Sequence, residues 1–147
     1  MMVKIKWSRS LCVGIAEIDE SNKQLIQTFN LIEKHRDDDV TAEPVSLVVE
    51  QMRKNASVYF SREERYMRNV DYPHYYAHKD EHKQFREKTA ALCIDVMNRK
   101  KTTPIDIYNY LSGWIIDHIL HADKEIARFV EKNRHASRHD LATKKAH

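Results

Sequence analysis

His78 and His82 stand four residues apart in the segment His78-Lys79-Asp80-Glu81-His82. On a helix that spacing stacks one imidazole above the other and aims both at a single point. A third histidine, His118, and a carboxylate, Glu63, fall on the apolar faces of two other segments. Taken singly each has an ordinary explanation, as a hydrogen-bonded core histidine or a glutamate paired with a lysine. Three histidines and a carboxylate from three helices are harder to satisfy that way, because buried charges need partners or a metal. The reading is a metal centre with His78, His82 and His118 as its firmest ligands, and a metal-free polar network as the alternative.

The remaining histidines carry less weight. His35, His135, His139 and His147 read as exposed, and His74 as solvent-facing in a first helical turn. His121, three residues after His118, is a reserve ligand at most. The segment 78–82 also matches H-x-x-E-H, a protease pattern in which Glu81 would be the base, but a five-residue match in a short chain is weak. Glu-x-x-His, which a ferritin-like di-iron site needs on two helices, does not occur.

The elements that must position these residues are helices. All three prolines, Pro44, Pro73 and Pro104, sit where a helix can begin, each with a Thr or Asp just ahead of it. This punctuation predicts helices near 19–37, 44–69, 73–99 and 104–131, with no strand-like alternation. The fold class is all-α: an antiparallel up-down-up-down four-helix bundle, with residues 1–18 as an irregular arm whose Trp7, Leu11, Val13 and Ile15 cross it. Inward stripes run Asn22, Leu25, Ile26, Phe29, Ile32; then Val49, Met52, Ala56, Tyr59, Glu63, Tyr66; then His78, His82, Phe85, Thr89, Leu92, Val96; and last Ile107, Leu111, Trp114, His118. Antiparallel folding brings Asn22, Tyr59, Glu63, His78, His82 and His118 to one end of the bundle.

Composition narrows the class. The net charge of +3 resides in residues 131–147, which carry five Lys/Arg against two Asp/Glu, so the body is neutral. A neutral body speaks against nucleic acid. Residues 1–131 read as the bundle domain and 132–147 as a basic tail, solvated helix end or disordered extension. No run approaches the ~20 apolar residues of a membrane span, and the first residues do not resemble a signal peptide. Cys12 and Cys93 read as reduced, buried thiols, which points to the cytoplasm.

One family shares these residues in order. Trp7, Val13-Gly14-Ile15, Ile18-Asp19-Glu20 and Lys23 are followed by Phe60, Glu63-Glu64, Met67, Tyr72-Pro73, His78, His82 and Phe85, then by Trp114, His118-Ile119 and Asp123. From about residue 7 to 130 the chain resembles the bacterial hemerythrins, four-helix bundles holding two oxygen-bridged non-haem irons, many of which bind O2 reversibly. The resemblance implies iron at His78, His82 and His118, with Glu63 and Asp123 as bridging carboxylates. On an ideal helix Asp123 lies about 140° round from His118, so the resemblance also implies a local π-bulge.

The family's second iron takes one histidine from each of the first two helices; those positions are Asn22 and Tyr59 here. Classical reversible O2 carriage is therefore not expected. The altered centre holds one or two metal ions, with Tyr59 and Asn22 completing the second if it binds. Three histidines and a carboxylate would equally suit zinc or manganese. The expected function is metal binding without enzymatic turnover, in handling or sensing O2, NO, peroxide or iron, with a partner-binding or signalling bundle on a degenerate site as the alternative.

Overall fold

The computed structural model of the chain describes residues 3–35, 43–98 and 104–146. After a 3-10 turn at Arg9–Leu11 come α1 (Ala16–Phe29), a 3-10 extension (Asn30–His35), α2 (Glu43–Asn69) and α3 (Tyr75–Met97). The fourth rod is α4 (Pro104–Asp117), a π-helical turn (His118–Asp123) and α5 (Lys124–Ala146). No strand occurs among the described residues, and the four rods form the expected antiparallel bundle. None of the described helices is long and apolar enough to cross a membrane. Residues 36–37 and 99, and the side chains of His35, Val96, His139 and His147, lie outside what is described.

The apolar stripes become the core. Leu25, Ile26, Phe29 and Ile32 meet Val49, Met52 and Ala56, then Phe85 and Leu92, then Ile107 and Leu111. Helix α1 starts earlier than the predicted residue 19. Gly14, with φ +86°, turns the arm, and Ile15 enters the helix without a side-chain cap. Asp19 sits one turn inside and reaches back instead: its carboxylate accepts the Val13 N–H at 2.8 Å, the Gly14 N–H at 3.2 Å and the Cys12 thiol at 2.9 Å. The arm is thereby fixed with Leu11 and Ile15 buried and Trp7 and Val13 half-buried against the core.

That geometry corrects the reading of the cysteines. With Leu11 and Ile15 turned inward, Cys12 faces out and is exposed; Cys93 is half-buried, and burial raises its pKa. Past residue 131, where the bundle was expected to give way to the tail at 132–147, α5 continues as helix to Ala146, with 131–136 exposed.

Helix α2 ends in a left-handed cap. The Tyr72 N–H bonds the Met67 carbonyl at 2.9 Å and the Asp71 N–H bonds the Arg68 carbonyl at 3.1 Å, while Tyr72 and Met67 pack together in a small second core. Asp71 holds φ +54°, where glycine is the unstrained choice. Asp71→Gly is expected to stabilise the protein by about 0.5–1 kcal/mol, read as a higher denaturant midpoint with an unchanged slope.

Candidate metal centre

Three of the four rods deliver the donors. His78 and His82 project from α3 and Glu63 from α2, while His118 and Asp123 open and close the π turn. In a π turn the bonding runs i→i+5, so residues five apart come onto one side. Asp123 accordingly turns inward and is fully buried, as are His82 and, to within a few per cent, Glu63, His78 and His118.

One donor atom from each of Glu63, His78, His82 and His118 lies within 4.8 Å of the others. The Nε2 of His118 is 3.1 Å from that of His78 and 3.2 Å from that of His82. Glu63 Oε1 contacts His78 Nε2 and stands 3.3 Å from both His82 and His118 Nε2. Asp123 Oδ1 is 3.2 Å from His118 Nε2 and 3.4 Å from His78 Nε2, yet makes no aligned hydrogen bond.

The outer ring nitrogens are also held. His82 Nδ1 faces Glu64 Oε2 at 2.9 Å and His118 Nδ1 faces Glu81 Oε2 at 3.2 Å. A carboxylate there keeps the proton on Nδ1 and leaves Nε2 as a lone pair. Phe60 stacks on the His82 ring at 4.0 Å and Trp114 on the His118 ring at 4.4 Å, fixing both ring planes.

These lone pairs converge with nothing but one another to meet, and Asp123 Oδ1 is a buried acceptor without a donor. Protons alone satisfy such a cluster poorly; a cation satisfies all of it. The spacing agrees. Nitrogens ~2.1 Å from one ion stand about 3.0 Å apart at right angles and about 3.4 Å apart at the tetrahedral angle. The observed 3.1 and 3.2 Å fall between.

Without a metal, protons must stand in. Burial works to lower His78, but Asp123 and Glu63 outweigh it and raise its pKa from 6.5 to about 9. Burial opposes His118 likewise, and the carboxylates of Asp123, Glu63 and Glu81 raise it well above the usual range. Metal uptake at neutral pH is therefore expected to release roughly two protons per ion, measurable by calorimetry in buffers of different ionisation enthalpy. Because the His78 pKa is raised on folding, its contribution to the metal-free fold is full below 6.5 and is lost as pH climbs through about 9. Metal affinity should rise over the same interval.

Other sequence-predicted residues fall elsewhere. Asn22 is buried, and its Nδ2 donates to Asp123 Oδ2 at 2.8 Å. Tyr59 is half-buried against the main core with the Arg62 guanidinium 5.9 Å from its ring, and no hydrogen bond joins its hydroxyl to the cluster. His121, the reserve ligand, is exposed and pairs with Asp117 at 3.6 Å. His135 is exposed beside Glu131, and His74 is exposed against Tyr72. Glu64 and Glu81 as partners of the outer ring nitrogens are additions of the structure. Their only signal in sequence is an acidic residue adjoining a ligand position, Glu64 after Glu63 and Glu81 before His82.

Residues 13–130 match the hemerythrin HHE cation binding domain, most of the chain. The chain belongs to the hemerythrin family. It is 27% identical to a bacteriohemerythrin of Clostridium acetobutylicum over 81% of this chain and 95% of that protein. It is 24% identical to one of Pseudomonas paraeruginosa, over 92% and 85% respectively. Within this cation-binding domain the chain brings together a buried cluster of His78, His82, His118 and Glu63 with the geometry to hold an ion, and Asp123 lies against it.

Proposed function

We propose that this hemerythrin-like protein holds one iron ion per chain, through His78, His82, His118, Glu63 and Asp123. The carrying observation is the Asn22 amide on Asp123 Oδ2. One oxygen of that carboxylate faces the histidines; the other accepts a neutral N–H donor rather than being left free for a second cation. An amide nitrogen that donates a proton has no lone pair for a metal. Tyr59, packed under Arg62, supplies no replacement there.

Five protein donors are one short of the six an octahedral ion takes, leaving room for a small ligand. Bound there, iron supplies a redox-active Lewis acid. The protein residues fix the histidine tautomers through Glu64 and Glu81, exclude water with Phe60, Phe85 and Trp114, and balance the ion's charge with two carboxylates. The role we assign is sensing or handling O2, NO or iron, without the two-iron O2 carriage of the family and without turnover. Two unpaired cysteines, one exposed, suit the reducing cytoplasm. A complete donor set argues against the rival reading, a partner-binding or signalling bundle on a degenerate site.

Elemental analysis of protein from iron-supplemented cells, with visible spectra before and after adding NO, tests this. One iron per chain and a spectrum altered by NO are expected. Two irons with a tyrosinate charge-transfer band would overturn the one-ion reading and put Tyr59 on the metal.

A further inference from the structure

Gly113 lies inside α4, where glycine costs about 1 kcal/mol relative to alanine. No steric reason calls for it. Its backbone is not left-handed, and an added Cβ would meet no atom within 4 Å. What Gly113 does is line a hollow of about 470 Å³ between α3 and α4, with Glu81, Gln84, Tyr110, Trp114 and His118. A second hollow, about 130 Å³, shares Glu81, His121 and Ala122 with the first and reaches His78. Two ligand histidines that are each almost fully buried thus line hollows that share three residues, of which one side chain is bonded to a ligand histidine.

That side chain is Glu81. Its carboxylate is 52% exposed, yet it is the group bonded to His118 Nδ1 at 3.2 Å, and that bond lowers its pKa. The corresponding carboxylate on His82, Glu64, is only 11% exposed. Elsewhere the two imidazoles are covered by the rings of Phe60 and Trp114, with Phe85 behind them. A bare cation crossing an aromatic wall would lose its hydration with nothing in return. On the Glu81 side a carboxylate stands between water and the first ligand, with Asp117 on the rim of the larger hollow adding negative charge that attracts cations.

We infer that the α3–α4 hollow, which Gly113 lines, is the route by which metal ions reach and leave the centre, with Glu81 as its gate. The inference rests on the metal-centre reading above. Glu81 is a positioning residue: released from His118 it lets that ring turn, and bonded it locks the ring on Trp114.

The test loads the protein with Co2+, followed by its visible absorbance, and times both uptake and transfer to excess EDTA. Gly113→Phe fills the hollow without altering a donor. It should slow uptake and release by a common factor of about 10 and leave the dissociation constant as in the wild type, since a barrier scales both directions alike. Gly113→Ala, too small to fill the hollow, should exchange at the wild-type rate. Glu81→Ala should speed release about 10-fold or more, and Glu81→Gln, which can still accept from Nδ1–H, should recover most of the affinity. Should Gly113→Phe fail to fold by circular dichroism, Gly113→Leu carries the same expectation. Wild-type exchange rates in a folded bulky variant, or slowing of only one of the two rates with a matching change in the dissociation constant, would overturn the route. A wild-type protein that takes up no Co2+ would overturn the centre itself, a result separable from failure of the route alone.

Discussion

His118→Ala is expected to abolish stable metal binding and to cost the metal-free protein about 3–5 kcal/mol, the scale measured when one partner of a buried ion pair is removed. No other side chain touches so much of the centre. Its Nε2 is within 3.3 Å of His78, His82, Glu63 and Asp123, its Nδ1 meets Glu81, and its ring lies on Trp114. Two opposing effects decide the sign for the metal-free state. Removing a protonated imidazole relieves its repulsion with His78, a contribution that lowers the His78 pKa. Against this, Glu63 and Asp123 would be left buried with His78 and His82 alone to balance them, and the cavity would sit beneath Trp114. The unpaired carboxylates outweigh the relief, and total stabilities of about 5–15 kcal/mol leave a narrow margin. The measurement is a urea titration of metal-free and metal-loaded protein. The wild-type midpoint should rise with metal by mass action and the variant's should not. His121→Ala, three residues on but exposed, should match the wild type in both; equal effects of the two substitutions would sink the assignment.

The contrast between His118 and His121 also marks what the sequence can disclose. Spacing placed His78, His82, His118 and Glu63 on inward faces because core stripes on helices are read from a 3.6-residue period, and all four are buried where the stripes meet. Asp123 escapes that period. A helix with regular bonding would turn it away, and only the family resemblance pointed to it; the π turn of His118–Asp123 resets the phase by one residue. Glu64 and Glu81 were illegible for a different reason. Each belongs to the flank of a helix, and its partner imidazole is on the neighbouring one, so the pairing depends on interhelical rotation that no single-helix pattern contains. The start of α1 was displaced because Asp19 caps the arm rather than its own helix. Cys12 is exposed despite its apolar neighbours in sequence, because Leu11 and Val13 turn toward the core and away from it.

Introducing both missing histidines, Asn22→His with Tyr59→His, should raise the metal content from one ion per chain to two. Asn22 now spends its amide N–H on Asp123 Oδ2. An imidazole in its place can offer a lone pair and frees that carboxylate oxygen to bridge. Tyr59 is four residues before Glu63, one helical turn along α2, so a histidine there can share an ion with the carboxylate by the same i, i+4 logic that pairs His78 with His82. Losing the phenol from its half-buried place under Arg62 costs packing, about 1–2 kcal/mol, which a second bound ion offsets only when metal is in excess. Asn22→His alone should weaken the hold on Asp123 without completing a second set, and so stay at one ion. Elemental analysis separates the cases, and the oxygen-bridged pair expected of the double variant would add near-ultraviolet absorption that a lone ion lacks. A double variant that folds and still holds one ion would mean that the separation of α1 from α2, and not these two side chains, keeps the second metal out.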